Sequence, residues 1–193
     1  MLSKPIEHRA ASATKLPSFP INLPEIRRSV AEILALFGRD RIFTEYTRHD
    51  ITHIDDMLAT AEWIIPDATK SILSDAEWLT IVLSIYFHDM GLVVTETEFQ
   101  HRADSGFRAF CNHHLFTGSG GADYQAKIGL LDPDHKERFL YQEYVRANHG
   151  RRIRAWIEGT QNPDLGYAKV QIEEIDRLLR PLDTDYRRPG SRL

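Results

Sequence analysis

The sequence predicts an all-α protein, and two observations support this class. Apolar residues recur at spacings of three and four in several segments, and helix caps and stops bracket those segments. No segment alternates apolar and polar residues as a half-buried strand would. The length of 193 residues suits one domain with a sizeable core. We expect a flexible arm over residues 1–23, a helical domain over 24–185 and a basic tail over 186–193 that could be a linker or a truncated end.

The composition narrows the function classes. A net charge of −4 gives no support for an extensive nucleic-acid-binding surface. Cys111 is the single cysteine, so a disulfide framework and a cysteine-based zinc site are excluded. Metal ligands must therefore come from Asp, Glu and the nine histidines. No apolar run reaches the roughly 18 residues of a membrane span, and no signal-peptide core is present, so a cytoplasmic location is expected.

The first predicted helix covers residues 24–37. Pro24 suits a first helical turn, and Gly38 is a natural stop. The apolar residues Ile26, Val30, Ile33, Leu34 and Phe37 fall on one face.

A second helix is predicted over residues 45–65, with Thr44 as its cap and Pro66 after its end. His49 and His53 are four residues apart and therefore share a face. At this spacing they fit a metal-binding pair, but taken alone an ordinary polar stripe is the favoured interpretation.

The segment WLTIVLSIYFHDMGL, residues 78–92, organises the chain. Ser74 and Glu77 have capping-box spacing, and the residues that follow are apolar on nearly every side, which predicts a buried helix. His88 and Asp89 stand at its end, where burial would be costly without a partner; a divalent cation would satisfy both. The alternative is a histidine that favours the helix dipole, followed by a turn aspartate.

Residues 100–131 are predicted to form an insertion near the site that could act as a lid. A helix over 102–114 would place Phe107, Phe110 and Cys111 inward, and a glycine-rich loop follows at 118–121. We expect this loop to exchange its amides faster than the central helix. The histidines of this region, which fit surface positions or reserve ligands, are His101, His113 and His114.

Asp132 is a residue type that often caps a helix, and Pro133 is favoured at the first helical position, so a helix is expected to start there. It delivers a polar group made of Arg146, His149, Arg151 and Arg152. A last helix is predicted over residues 167–182, followed by Asp183 and Asp185.

Three segments in this order resemble the His-Asp (HD) superfamily of metal-dependent phosphohydrolases. Residues 49–58 are similar to its first motif, a metal-binding histidine on a helix. FHDMGL, residues 87–92, resembles the His-Asp signature, and VRANHGRRIRAWI, residues 145–157, resembles a later motif. The resemblance covers roughly residues 24–185 and implies an HD-like helical bundle.

The resemblance also implies a ligand set of His53, His88, Asp89 and a late aspartate, for which Asp183 is the candidate and Asp185 the next. The ion would be Mn, Fe, Mg, Ni, Co or Zn.

Further roles follow from the same resemblance or from the residue types. Asp89 could also orient the attacking water, and His49 could move a proton or orient a ligand. His149 would bind a second metal or the substrate phosphate. The phosphate-binding candidates are Arg146, Arg151 and Arg152, which also fit a solvated helix face.

The implied activity is hydrolysis of a phosphomonoester or phosphodiester of a nucleotide-like substrate by a metal-activated water. Two alternatives stay open: an HD-fold regulatory domain without activity, and an HD-type nuclease. The sequence leaves the oligomeric state open, a homo-oligomer included.

Overall fold

The structure, a computed structural model, describes residues 2, 4–13, 15, 21–35, 50–116 and 121–158. Within these ranges every regular element is a helix and no strand occurs, which confirms the all-α class. The α-helices are α1 Pro5–Ala13, α2 Leu23–Leu34, α3 Ile51–Ile64, α4 Asp67–Lys70, α5 Asp75–Phe87, α6 Glu96–Gln100, α7 Phe107–Phe116, α8 Gly121–Gly129 and α9 Pro133–Glu158. Short 3₁₀ turns lie at Met90–Leu92 and Arg102–Asp104.

Helix α5 lies at the centre, as its sequence predicts. The capping box forms, because Ser74 Oγ accepts from the backbone N–H of Glu77 and the Glu77 side chain accepts from the backbone N–H of Ser74. One difference concerns burial: Thr80 and Ser84 are exposed, so α5 is buried on one face. The buried residues of that face are Trp78, Leu79, Val82 and Tyr86.

The N-terminal segment differs from the expectation of a flexible arm over residues 1–23. Pro5–Ala13 forms α1, which packs against α5 and buries Ile6, Ala10 and Ala13 completely. The expectation is wrong for this part because two of its three buried apolar residues are alanines, which give a weak periodic signal. The boundary at residue 24 stays a prediction.

A buried polar network ties α1 to its neighbours. The Glu7 carboxylate, which is fully buried, accepts from Arg27 Nε at 2.9 Å and from the Tyr86 hydroxyl. Arg27 also donates to Asp55 on α3. The network therefore connects α1, α2, α3 and α5 through charged hydrogen bonds, which are the stronger kind.

Replacing Glu7 with glutamine is expected to lower the free energy of unfolding by roughly 3 kcal/mol, because it leaves Arg27 largely buried with one carboxylate fewer. Glu25→Gln is the matched control, since Glu25 is paired with Arg28 at 3.5 Å on the surface and should contribute less than about 1 kcal/mol. Urea denaturation of both variants measures the difference. Equal losses would show that the Glu7 network adds no particular stability.

Helix α2 carries its predicted apolar face, and α3 is also buried through apolar residues. Ile26, Val30, Ile33 and Leu34 are buried on α2, while Phe37 lies outside the described residues. Ile54 and Leu58 are fully buried on α3.

The start of α3 differs from the prediction of residue 45. Asp50 is extended and its side chain accepts from the N–H groups of Thr52 and His53, so the helix begins at Ile51. Thr44 and residues 45–49 lie outside the described part.

A second apolar cluster forms around α9. It is made by Val94, Phe99, Phe107, Ile128, Leu140, Tyr141, Tyr144 and Val145. The first cluster includes Met90 and Val93, so the buried residues change from one cluster to the other between Val93 and Val94. The segment after Asp89 therefore joins the two apolar clusters.

The region predicted as an insertion is helical where it is described. The expected helix over 102–114 is divided into the Arg102–Asp104 turn and α7, and Phe107 points inward as predicted. Gly121 begins α8, whereas residues 117–120 lie outside the described part, so the lid and its mobility stay predictions. Helix α9 starts as predicted, with Asp132 capping the N–H groups of Asp134 and His135.

None of the described helices combines the length and apolar character needed to cross a membrane. The predicted helix over 167–182 and the tail over 186–193 lie outside the described residues.

Candidate metal centre

His53 is presented by the first turn of α3. Asp50 accepts from its backbone N–H at 3.3 Å, which fixes the start of the helix beneath it. The His53 side chain is 34% exposed, so its imidazole borders solvent. Because this helix start is capped, the backbone that carries the His53 ring has a fixed position.

His88 and Asp89 are presented by the end of α5. His88 keeps helical dihedral angles, whereas Asp89, with φ −100° and ψ −5°, starts the 3₁₀ turn Met90–Leu92. The backbone N–H of Leu92 donates to the Asp89 carbonyl at 2.9 Å. The change of helix type at Asp89 lets the two adjacent side chains approach one point.

The three side chains converge. Asp89 Oδ2 lies 2.8 Å from His88 Nε2 and 3.4 Å from His53 Nε2. The two imidazole rings have centroids 5.4 Å apart. One ligand atom from each residue lies within 4.8 Å of the others, and within the described residues no other group of this kind forms. Two imidazole nitrogens and a carboxylate oxygen form a donor set that suits Zn, Mn or Fe, so these residues fit a divalent cation.

Hydrogen bonding fixes the orientation of the His88 ring. Its Nδ1 lies 2.7 Å from the carbonyl oxygen of Ile85, which can only accept, so Nδ1 carries a proton. Nε2 therefore faces Asp89 and is the nitrogen that can bind a metal. This arrangement, in which a ligand histidine donates its other N–H to a carbonyl, is common in metal sites.

The Asp89 carboxylate also changes the acidity of His88. Burial acts to lower the pKa of the His88 imidazole, but the hydrogen bond to Asp89, the Ile85 carbonyl and the Asp89 charge together raise it above its ordinary value. In the metal-free protein, this pair therefore stabilises the fold below the unfolded-state pKa of about 6.5, and the contribution is lost as pH rises through the raised value.

Metal affinity should consequently depend on pH. A cation must displace the proton on His88 Nε2, so the apparent affinity should fall roughly tenfold per pH unit below the raised pKa. Calorimetric titration with Mn²⁺ between about pH 5 and about pH 8 measures this dependence. A flat profile across that range would contradict the assignment of His88 as a ligand.

Several other predicted site residues do not join the cluster or are not described. His49, Asp183 and Asp185 lie outside the described residues, so their roles stay predictions. The His149 side chain is exposed, its Nδ1 is 2.7 Å from the Arg146 carbonyl oxygen, and it is not part of the three-residue group. The described reserve candidates, His101 and His113, are exposed outside that group.

The three predicted phosphate-binding arginines divide into two kinds. Arg146 and Arg151 are exposed on α9, and Arg146 forms an ion pair with Glu143 at 3.1 Å. Arg152 is fully buried, and its guanidinium is paired with the Glu98 carboxylate. The prediction is wrong for Arg152, because a group enclosed in the core cannot reach a substrate phosphate.

Sequence reasoning missed two residues beside the site. Glu98 is almost completely buried; burial raises the pKa of its carboxyl group, while Arg152 and Tyr141 oppose that shift. Its spacing from Thr95 is that of a capping box, so its sequence context indicates only a helix start. Gly91 is the second, since its backbone lies against that of His149 on α9. No local signal distinguishes this close approach from an ordinary glycine turn.

Comparison with known proteins agrees with this geometry. The family model described as HD-CE matches residues 43–189, which is more than half of the chain. The chain therefore belongs to the HD-CE family, and the predicted HD-type domain is confirmed. Helices α1 and α2 precede the matched region. No curated protein matches the chain, and no solved structure matches it.

Proposed function

We propose that the chain is a metal-dependent phosphohydrolase of the HD type, acting on a phosphomonoester or phosphodiester of a nucleotide-like substrate. The observation that supports this most is the convergence of His53, His88 and Asp89, which offer three ligand atoms within 4.8 Å of one another. Family membership supports the same class.

The three side chains would hold the ion and leave one side of it open. His53 and His88 are 34% and 29% exposed at their side chains, whereas Asp89 is 12% exposed. Solvent can therefore reach the imidazoles while the carboxylate stays enclosed. A bound divalent cation would lower the pKa of a coordinated water and stabilise charge on the phosphoryl oxygens.

Helix α9 carries arginine side chains that could bind the substrate phosphate. The backbone of α9 meets the turn after Asp89 at His149, and Arg146 and Arg151 are exposed within one turn of that contact. A guanidinium can bind two phosphate oxygens at once, so we propose these two arginines as phosphate contacts. His49, Asp183 and His149 keep their proposed roles as proton carrier, further ligand and phosphate or second-metal contact.

The test combines metal content with turnover. The purified chain is loaded separately with Mn, Fe, Mg, Ni, Co and Zn, its metal content is measured, and each form is assayed on a generic phosphodiester, nucleotides, cyclic nucleotides and single-stranded nucleic acids. Metal-dependent release of phosphate or of the alcohol supports the proposal. A protein that binds metal and hydrolyses none of these substrates would favour a regulatory domain, and degradation of nucleic acid alone would favour a nuclease.

A further inference from the structure

The buried guanidinium of Arg152 is bonded to the turn that carries the candidate metal ligand. Its Nε donates to the Gly91 carbonyl at 2.6 Å, and its Nη2 donates to the Val93 carbonyl at 2.8 Å. Both carbonyls belong to the segment that starts two residues after Asp89. A side chain of α9 thus bonds the backbone of this segment at two points.

Glu98 and Tyr141 hold this guanidinium in one orientation. Arg152 Nη1 donates to Glu98 Oε1 at 2.5 Å and Nη2 to Glu98 Oε2 at 3.2 Å, which is a bidentate pair. The Tyr141 hydroxyl donates to Glu98 Oε1 at 2.9 Å. The exposed fractions are 0% for the Arg152 side chain and 2% for that of Glu98, so solvent does not compete for these bonds.

Stability alone does not account for such a pair. Buried ion pairs are often no more stabilising than apolar residues of the same size, because both charges lose their hydration. What an apolar pair could not do is donate to two carbonyls of a turn and so fix its position. We propose that Arg152, held by Glu98, is a positioning residue for the metal centre that sets where Asp89 stands relative to His53.

This inference rests on the proposed function, because it concerns the same metal centre. Residues that orient metal ligands typically change metal affinity by about 10-fold to 100-fold when they are replaced. The Asp89 oxygen and the two imidazoles must stay close together to share one ion, so a shifted turn would weaken binding even with all three ligands present.

The test uses the double variant Arg152→Met, Glu98→Leu, which removes both charges together and leaves no unpaired ion in the core. Calorimetric titration with Mn²⁺ should give a Kd at least about tenfold weaker than that of the unchanged protein. Glu7→Gln is the control, since Glu7 also joins a buried arginine and a tyrosine but bonds no backbone carbonyl of this turn. It should lower the melting temperature and leave the Kd for Mn²⁺ unchanged.

Arg152→Lys is the second variant, which decides the matter if the double variant does not fold. Lysine keeps the charge beside Glu98 but lacks the planar fork that reaches both carbonyls, so the same loss of Mn²⁺ affinity is expected. An unchanged Kd in the folded double variant, or in Arg152→Lys when the double variant does not fold, would overturn the inference.

Amide exchange separates this inference from the proposed function. The N–H groups of Leu92 and Val93 donate within the turn, to Asp89 and Met90, at 2.9 Å and 3.1 Å. In the metal-free double variant the Gly91 and Val93 carbonyls lose their bonds to Arg152, so the turn should open more often and both amides should exchange faster. If the unchanged protein binds no metal but these amides respond, the proposed function fails, and only the effect of Arg152 on the position of the turn stands. If they do not respond, the positioning role fails as well.

Discussion

Replacing Asp89 with asparagine is expected to remove most of the bound metal and nearly all hydrolytic activity. Asparagine keeps the size of the side chain but removes the negative charge that lies 2.8 Å from His88 Nε2 and 3.4 Å from His53 Nε2. A neutral amide oxygen is a much weaker ligand than a carboxylate for the cations that this donor set suits. Elemental analysis after loading and a turnover assay with the best substrate measure the two losses.

At a pH above the raised pKa of His88, the free energies of unfolding of metal-free Asp89→Asn and of the unchanged protein should differ by no more than about 1 kcal/mol, the scale of one modest hydrogen bond. Asp89 precedes the 3₁₀ turn without capping it through its side chain, so the substitution removes no cap. Asp67→Asn is the matched control, because the Asp67 side chain is 98% exposed and is not part of the ligand group. Full metal occupancy and unchanged turnover in Asp89→Asn would disprove the site assignment.

The parts of the fold that the sequence predicts are those fixed by neighbouring residues. The capping box at Ser74, the apolar run after it and the Asp132-Pro133 start are local features, and each helix begins where they indicate. The convergence of His53 with His88 and Asp89 is a long-range contact, and the order of motifs predicted it through the family resemblance.

The parts of the fold that the sequence does not predict depend on contacts between residues far apart in the chain. Glu7 is buried because Arg27 and Tyr86, 20 and 79 residues away, supply its hydrogen bonds. Arg151 and Arg152 are adjacent and chemically identical, yet one is exposed and the other fully buried. The rotation of α9 about its axis decides which of the two arginines faces the Gly91 turn and is buried. The spacing of apolar residues does not specify this rotation, because charged residues occupy both faces of the helix.

The glycine at position 91 illustrates the same contact between distant segments and allows a strong test. A Cβ added there would lie 2.0 Å from the His149 carbonyl oxygen and 2.7 Å from its carbonyl carbon. These are backbone atoms of a long helix, so the conflict cannot be relieved by rotating a side chain. Gly91→Ala must displace either α9 or the turn that carries Asp89.

We therefore expect Gly91→Ala to lower the free energy of unfolding by about 3 kcal/mol, the upper part of the range for overpacked sites. Metal affinity should fall as well, because the turn and Arg152 would separate. Gly150→Ala is the matched control on α9: an added Cβ there meets nothing within 4 Å, and alanine inside a helix should stabilise by roughly 0.5–1 kcal/mol. Thermal unfolding and Mn²⁺ titration of both variants test the expectation. If Gly91→Ala had the same free energy of unfolding and the same Kd for Mn²⁺ as the unchanged protein, α9 would not pack against the metal centre as the structure places it.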